Sequence, residues 1–126
     1  MTDRELLELA RKASERSYSP YSRFAVGAAL ECEDGSVFTG CNVENAAYGD
    51  TICAERTAAV KAVSEGHREV RRIAIWGARR EDGSPCGSCR QFLQEFSKDM
   101  TVICGRGDGT WVSHPLSEMM PFFFDF

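Results

Sequence analysis

Three cysteines and one glutamate stand at spacings that suit a metal centre: Cys53-Ala54-Glu55, and further along Pro85-Cys86-Gly87-Ser88-Cys89. If residues 86–96 are helical, Cys86 and Cys89 share one face of the first turn and can hold one ion. Cys53 offers a third thiolate from the start of another helix. Three protein ligands leave one position of tetrahedral zinc open, which is the arrangement of a catalytic rather than a structural site. Zinc lowers the pKa of bound water to roughly 7 and so supplies hydroxide at neutral pH. Hydroxide alone does not protonate a leaving group, and Glu55, two residues after a ligand, is placed to carry the proton. Three thiolates leave ligands and ion with a net negative charge. Two helix N-termini aimed at the sulfurs would offset it, and so would hydrogen bonds from Arg56 to one or two thiolates.

A CxxC pair by itself also serves structural zinc knuckles and thioredoxin-like redox sites. A closed structural site wants a fourth ligand. Cys32, Cys41 and Cys104 fall in expected strands and read as small buried core residues, and His67 and His114 lack the spacing of metal ligands. The six cysteines are expected as thiols or ligands rather than as three disulfides.

The elements that must position these groups follow from pattern. Thr2 and Glu5 have the form of a capping box, and Leu6, Leu7, Leu9, Ala10 and Ala13 follow at helical spacing, so residues 3–15 read as a helix. Residues 25–32 and 36–42 read as two strands joined by Glu33-Asp34-Gly35. A helix over 52–64, closed by Gly66, a strand over 70–76 and a helix over 86–96 with Pro85 near its first turn come next. Strands at 101–104 and 111–112 flank Arg106-Gly107-Asp108-Gly109, and a brief helix at 116–120 precedes an aromatic tail. A link this short makes the last strand pair antiparallel, because a parallel crossover needs a dozen or more residues. A mixed sheet covered by helices accommodates the whole string.

The 126 residues suit one domain, here 1–126, with 43% apolar and 27% charged residues and no apolar run long enough to span a bilayer. No membrane partner is expected. The first residues lack the sections of a signal peptide, so the expected compartment is the cytoplasm. Fifteen Lys and Arg against 19 Asp and Glu give a net charge of −4 with no basic block, which argues against a nucleic acid polymer as partner.

With these residues assembled, the pattern resembles the zinc nucleoside and nucleobase deaminases, whose signature is H-x-E followed by P-C-x-x-C, with a three-cysteine variant. Within them the chain is similar to the small homotetrameric cytidine deaminases, from about Tyr18 to Phe124. Tyr21 to Ala29, Asn42-Val43-Glu44-Asn45-Ala46-Ala47-Tyr48 and Ser84 to Gln91 carry the likeness. The resemblance implies a three-layer α/β/α fold with a five-stranded mixed sheet and one Zn2+ per chain, held by Cys53, Cys86 and Cys89. It implies Glu55 as the proton carrier for hydrolysis of the exocyclic amine of cytidine and deoxycytidine. Phe24 would lie against the pyrimidine, Asn42 and Glu44 would hydrogen-bond the ribose hydroxyls, and Ala54 would also contact the substrate. A buried amide and carboxylate suit a pair of sugar hydroxyls, which favours a nucleoside over a bare base. Their bland reading is that they satisfy a turn after the second strand. Tyr48 and Phe124 would close a neighbouring subunit's pocket, so the assembly, a homotetramer, would share its active sites.

The chain departs from the family pattern in its tail, Pro121 to Phe126, in Asp50 just ahead of Cys53, and in the charged loop from Trp76 to Asp82. The expected effect is on the edges of the site rather than its metal core. A deaminase of a nucleoside-like antibiotic such as blasticidin S shares the two metal segments, and only Asn42 to Tyr48 argues for cytidine over it. A zinc-stabilised interaction module without turnover is the reading from another class; it has no need of Glu55.

Overall fold

The computed structural model describes residues 1–77, 84–97 and 99–126. The elements are α1 (Asp3–Ser14), β1 (Val26–Cys32), β2 (Val37–Cys41), α2 (Ala54–Ser64), β3 (Val70–Gly77), α3 (Gly87–Gln94), β4 (Thr101–Gly105), β5 (Trp111–Pro115) and α4 (Leu116–Met119), with one 3-10 turn at Tyr48–Asp50. The five strands form one sheet in the order β2-β1-β3-β4-β5. Only β3 and β4 run parallel; the other three pairings are antiparallel, so the sheet is mixed as expected.

Side chains along a strand alternate between faces, and the two faces bury different partners. On one face Ala28, Leu30, Ile73, Ile75, Val102 and Cys104 pack with Ala54, Ala58 and Ala62 of α2 and Leu93 of α3. On the other, Ala29, Ala74 and Ile103 meet Leu6, Leu7 and Ala10 of α1. Helices therefore cover both faces in three layers, and β1, with both faces covered, is buried at every position.

Two glycines set how closely the helices approach. A Cβ on Gly27 would lie 1.8 Å from the Ala10 carbonyl oxygen of α1, and one on Gly40 would lie 2.5 Å from the Ala58 nitrogen of α2. The backbone of each helix lies where a side chain would stand, so α2 is held tight to β2.

The Thr2–Glu5 capping box is present in both directions at the start of α1. The expected helices begin slightly early in two places, because Cys53 (ψ 155°) and Cys86 (ψ 167°) have extended backbone and stand as the N-caps of α2 and α3. β5 runs three residues beyond the expected 111–112, since its partner β4 is matched along its whole length, from Gly105↔Trp111 to Thr101↔Pro115. Of the charged loop Trp76 to Asp82 expected to alter the site's edge, Trp76 and Gly77 end β3 and residues 78–82 lie outside the described residues.

Candidate active site

The N-termini of α2 and α3 converge on the same face of the sheet and bring Cys53, Cys86 and Cys89 together, with their sulfurs all within 4.8 Å of one another. Cys53 and Cys86 are the caps of their helices and Cys89 sits inside the first turn of α3. Neither cap side chain hydrogen-bonds its own helix, so the sulfurs stand at the positive ends of two helix dipoles without closing either end. The donor set fits zinc. Sulfurs at about 2.3 Å from a tetrahedral ion lie about 3.8 Å apart, within the span observed, and soft thiolates select zinc over oxygen-seeking cations.

Electrostatics within the cluster agree. The Cys53 thiol is lowered to about 6, chiefly by the S–H that Cys89 donates to it, and further by Cys86 and the Arg56 charge, against burial and the Glu55 charge. Cys89 is pushed up, first by being that donor, then by burial and Glu55. Cys53 thus favours its thiolate form within the cluster, and a metal ion that enters displaces the protons its ligands still carry.

Glu55, in the first turn of α2, is 4% exposed, and its charge is felt by both Cys53 and Cys89. Arg56 donates from Nη1 to Ser88 Oγ at 3.4 Å, and its guanidinium lies 5.6 Å from the centre of the Phe92 ring. The hydrogen bond expected from Arg56 to a thiolate is thus made to Ser88, between the two cysteines of α3. The hydroxyl and the Phe92 ring one turn on form a seat for the planar cation, which acts on Cys53 through its charge alone. Ser88 was not singled out from sequence, although its position between two ligands marks it.

The segment after β2 lies beside this centre. Val43 and Ile52 exchange both backbone hydrogen bonds at 2.9 Å, an isolated bridge that sets Asn42 and Glu44 next to the segment that leads into Cys53. Asn42 is engaged by the protein itself. Its Nδ2 donates to the Phe24 carbonyl at 2.9 Å, and its Oδ1 accepts from the Val26 nitrogen at 2.9 Å and from the Ser17 hydroxyl. Both acceptor lone pairs and one amide hydrogen are used, which leaves one N–H to point elsewhere. In this structure the turn-satisfying role therefore describes most of what Asn42 does, and Ser17, unremarked in the sequence, is part of it.

Glu44 accepts from the Tyr21 and Ser22 nitrogens at 3.0 and 3.1 Å. These bonds, with the Ser22 side chain first among them, hold its carboxyl below the usual range. It lines a cleft of about 370 Å³ with Tyr21, Ser22, Asn45, Tyr48 and Thr51. The Tyr48 ring meets Tyr21 edge-on with centroids 6.2 Å apart but remains 76% exposed. Phe24 is partly buried against the core, and Ala54 is fully buried. Phe124 lies on the outside of α3, where its backbone nitrogen and carbonyl exchange hydrogen bonds with the Gln91 side chain at 3.1 and 2.9 Å. Its ring stacks edge-on with Phe126 and is 69% exposed. Gln91 as the clasp of the tail was not foreseen.

The other cysteines are thiols. Cys32 and Cys104 are buried as expected, whereas Cys41 is half-exposed and donates to the Arg16 carbonyl at 3.4 Å. No helix among the described residues is long and apolar enough to cross a membrane.

An α/β/α layer structure with three thiols and a carboxylate at two helix starts defines a class, that of single-metal hydrolytic centres built on a mixed sheet. Residues 1–106 match the family described as the cytidine and deoxycytidylate deaminase zinc-binding region. A cytidine deaminase of Halalkalibacterium halodurans is 48% identical over 121 residues, covering 94% of this chain and 92% of that one. A probable cytidine deaminase of Dictyostelium discoideum is 41% identical over 119 residues, covering 94% and 80%. Among solved structures, the cytidine deaminase of Burkholderia pseudomallei superposes with a TM-score of 0.94 at 42% identity, covering 98% of this chain and all of that one. That of Mycobacterium tuberculosis gives 0.86 at 34% identity, with both chains covered in full. The chain belongs to the cytidine and deoxycytidylate deaminase family.

Proposed function

We propose that the protein is a zinc-dependent cytidine deaminase, converting cytidine and 2′-deoxycytidine with water to uridine and 2′-deoxyuridine and releasing ammonia. The observation that carries the reading is the meeting of Cys53, Cys86 and Cys89 with buried Glu55 at two helix starts. The relatives matched over most of the chain bear the same activity in their names. Residues 1–126 act as one catalytic domain, in the cytoplasm and in pyrimidine salvage, and the substrate is a free nucleoside rather than a polymer.

Cys53, Cys86 and Cys89 would hold the zinc, which when bound would supply hydroxide at neutral pH. Glu55 takes one proton of the attacking water and passes it to the ring nitrogen, then takes the second from the hydroxyl now on C4 and delivers it to the amine, so that the C4–N bond breaks, the C4 carbonyl forms and ammonia leaves, one carboxyl serving as base and acid in turn. Its burial keeps competing water away from that transfer. Glu44, already oriented by Tyr21 and Ser22, binds ribose hydroxyls. Asn42 fixes the segment that carries Glu44 and offers its remaining N–H to the sugar. Phe24 and Ala54 flank the base. The exposed rings of Tyr48 and Phe124 would close the pocket of a neighbouring subunit in a homotetramer with shared active sites.

The test is ultraviolet absorbance of the zinc-quantified protein with cytidine, deoxycytidine and blasticidin S, alongside Glu55→Gln. We expect loss of the cytidine signal with ammonia release. In Glu55→Gln we expect full zinc and a rate reduced by about 10²–10⁴-fold, the usual worth of general acid–base catalysis. Turnover of the antibiotic with neither nucleoside consumed would overturn the substrate assignment, and zinc loss in Glu55→Gln would overturn the role of Glu55.

A further inference from the structure

At the far end of α2 a second group of metal-binding side chains comes together that sequence spacing concealed. Cys32 closes β1 at a break in the strand register. The chain then turns through Gly35, at φ +90°, with Asp34 Oδ1 accepting from the Ser36 nitrogen at 3.0 Å. α2 is ended by Gly66, at φ +93°, and His67 folds back so that its nitrogen donates to the Ala62 carbonyl at 2.9 Å. The two turns are pinned together by the Glu33 nitrogen, which donates to the Glu69 carbonyl at 2.9 Å.

Between them stand one sulfur, one carboxylate and one imidazole, those of Cys32, Asp34 and His67, with donor atoms all within 4.8 Å of one another. His67 Nδ1 and Asp34 Oδ2 are 3.1 Å apart, and the imidazole is held against the Phe38 ring at 5.2 Å between centroids. The group opens on a cleft of about 380 Å³ whose rim also carries Glu33, Glu69 and Arg68, two carboxylates against one guanidinium, with room for an ion and its remaining waters. His67 lacks the linear spacing of a metal ligand, as expected from the sequence, and it is two reversals of the chain that bring it to Cys32 and Asp34.

We propose that Cys32, Asp34 and His67 form a second cation site, distinct from the catalytic centre, and that it takes zinc. A mixed sulfur, nitrogen and oxygen set is a zinc donor set and a poor one for magnesium or calcium. A thiolate and a carboxylate neutralise the ion's two charges. In the free protein burial, then Asp34 and Glu31, push the Cys32 thiol up, so the ion enters by displacing its proton. The bound ion ties the β1–β2 turn to the connection between α2 and β3. It lies the length of α2 from Cys53, about 16 Å for its 11 residues.

The test is zinc stoichiometry of the holoenzyme by elemental analysis and competitive titration, in wild type, His67→Gln and Cys32→Ser, with deamination measured in each to certify folding and the first site. We expect two equivalents in wild type. In both variants we expect the second equivalent weakened by more than about tenfold, since a direct ligand is worth at least what an outer-shell partner is, while the first equivalent and turnover persist. A single equivalent in wild type at saturating zinc would overturn the site, as would a second equivalent bound equally well by His67→Gln. If Cys32→Ser fails to fold, His67→Gln, altered at a partly exposed side chain, decides alone.

Discussion

Replacing Gly40 by alanine should injure the catalytic centre from behind. Gly40 lies on β2 beneath α2, and a Cβ there would stand 2.5 Å from the Ala58 nitrogen, 2.7 Å from the Ala54 carbonyl oxygen and 2.9 Å from Thr57 Cβ. Ordinary contact begins at 3.4 Å. Two of the three atoms belong to helix backbone and cannot rotate aside, so in a close-packed interior α2 must retreat by about 1 Å. Ala54 stands between Cys53 and Glu55, so the displacement is delivered to a metal ligand and to the proton carrier together. Overpacking of this kind costs about 1–3 kcal/mol of stability, and a 1 Å misplacement of reacting groups costs about 100-fold in rate.

The assay compares kcat/KM for cytidine, zinc per chain and Tm in wild type, Gly40→Ala and Gly27→Ala. The second variant is the control, because its Cβ would meet the Ala10 oxygen at 1.8 Å and the Ser14 nitrogen at 2.6 Å, both in α1 on the opposite face of the sheet. Gly27→Ala should lose at least as much stability yet keep its activity per folded, zinc-loaded chain. Gly40→Ala should lose activity in the folded, zinc-loaded fraction as well. A folded Gly40→Ala enzyme with full zinc and kcat/KM within about threefold of wild type would refute the claim that β2 sets the position of Cys53 and Glu55.

Glu31, whose side chain is 6% exposed, accepts from Arg72 Nε at 2.9 Å and Nη2 at 3.2 Å, and Arg72 continues to Asp3 at 2.5 Å. Arg72 holds the Glu31 carboxyl below its ordinary value of 4.5, so the pair's stabilisation is present above that value and is lost as pH falls through the lowered one. Glu31→Gln should cost about 3 kcal/mol near neutrality and flatten the acid limb of a Tm-against-pH curve; an unchanged limb would show that the pair is not linked to folding. Asn42→Ala should lower Tm as well as raise KM, because it strips the buried Val26 N–H of its partner, at about 1–3 kcal/mol for a group left buried and unsatisfied. A raised KM with unchanged Tm would make Asn42 a substrate contact alone.

What the sequence disclosed and what it concealed divide along one line. Cys53, Glu55, Cys86 and Cys89 were legible because each group of ligands is local and its chemistry is peculiar to those residue types. The strands and the capping box of α1 were legible because alternation and capping are local as well. Contacts between distant turns carry no such mark. Asp34 and His67 meet only because Gly35 and Gly66 both reverse the chain. Arg56 reads as a donor to thiolates until Ser88 and Phe92 are seen beneath it. Asn42 reads as a ligand-binding amide until Ser17, Val26 and Phe24 are seen around it.

The caps of the helices carry the same argument into function. α1, which takes no part in the metal centre, begins with a reciprocal Thr2–Glu5 capping box. α2 and α3 begin with cysteines, which are not preferred caps, and neither side chain bonds its helix. Such a cap forgoes about 1 kcal/mol per helix relative to serine or aspartate. What it leaves is two positive helix ends, without a side-chain cap, directed at three sulfurs, which can hold the negative charge of a tris-thiolate site. Among the described helices longer than one turn, the one outside the metal centre follows the local rule and the two that build it break it, which trades helix stability for the electrostatics of the reaction.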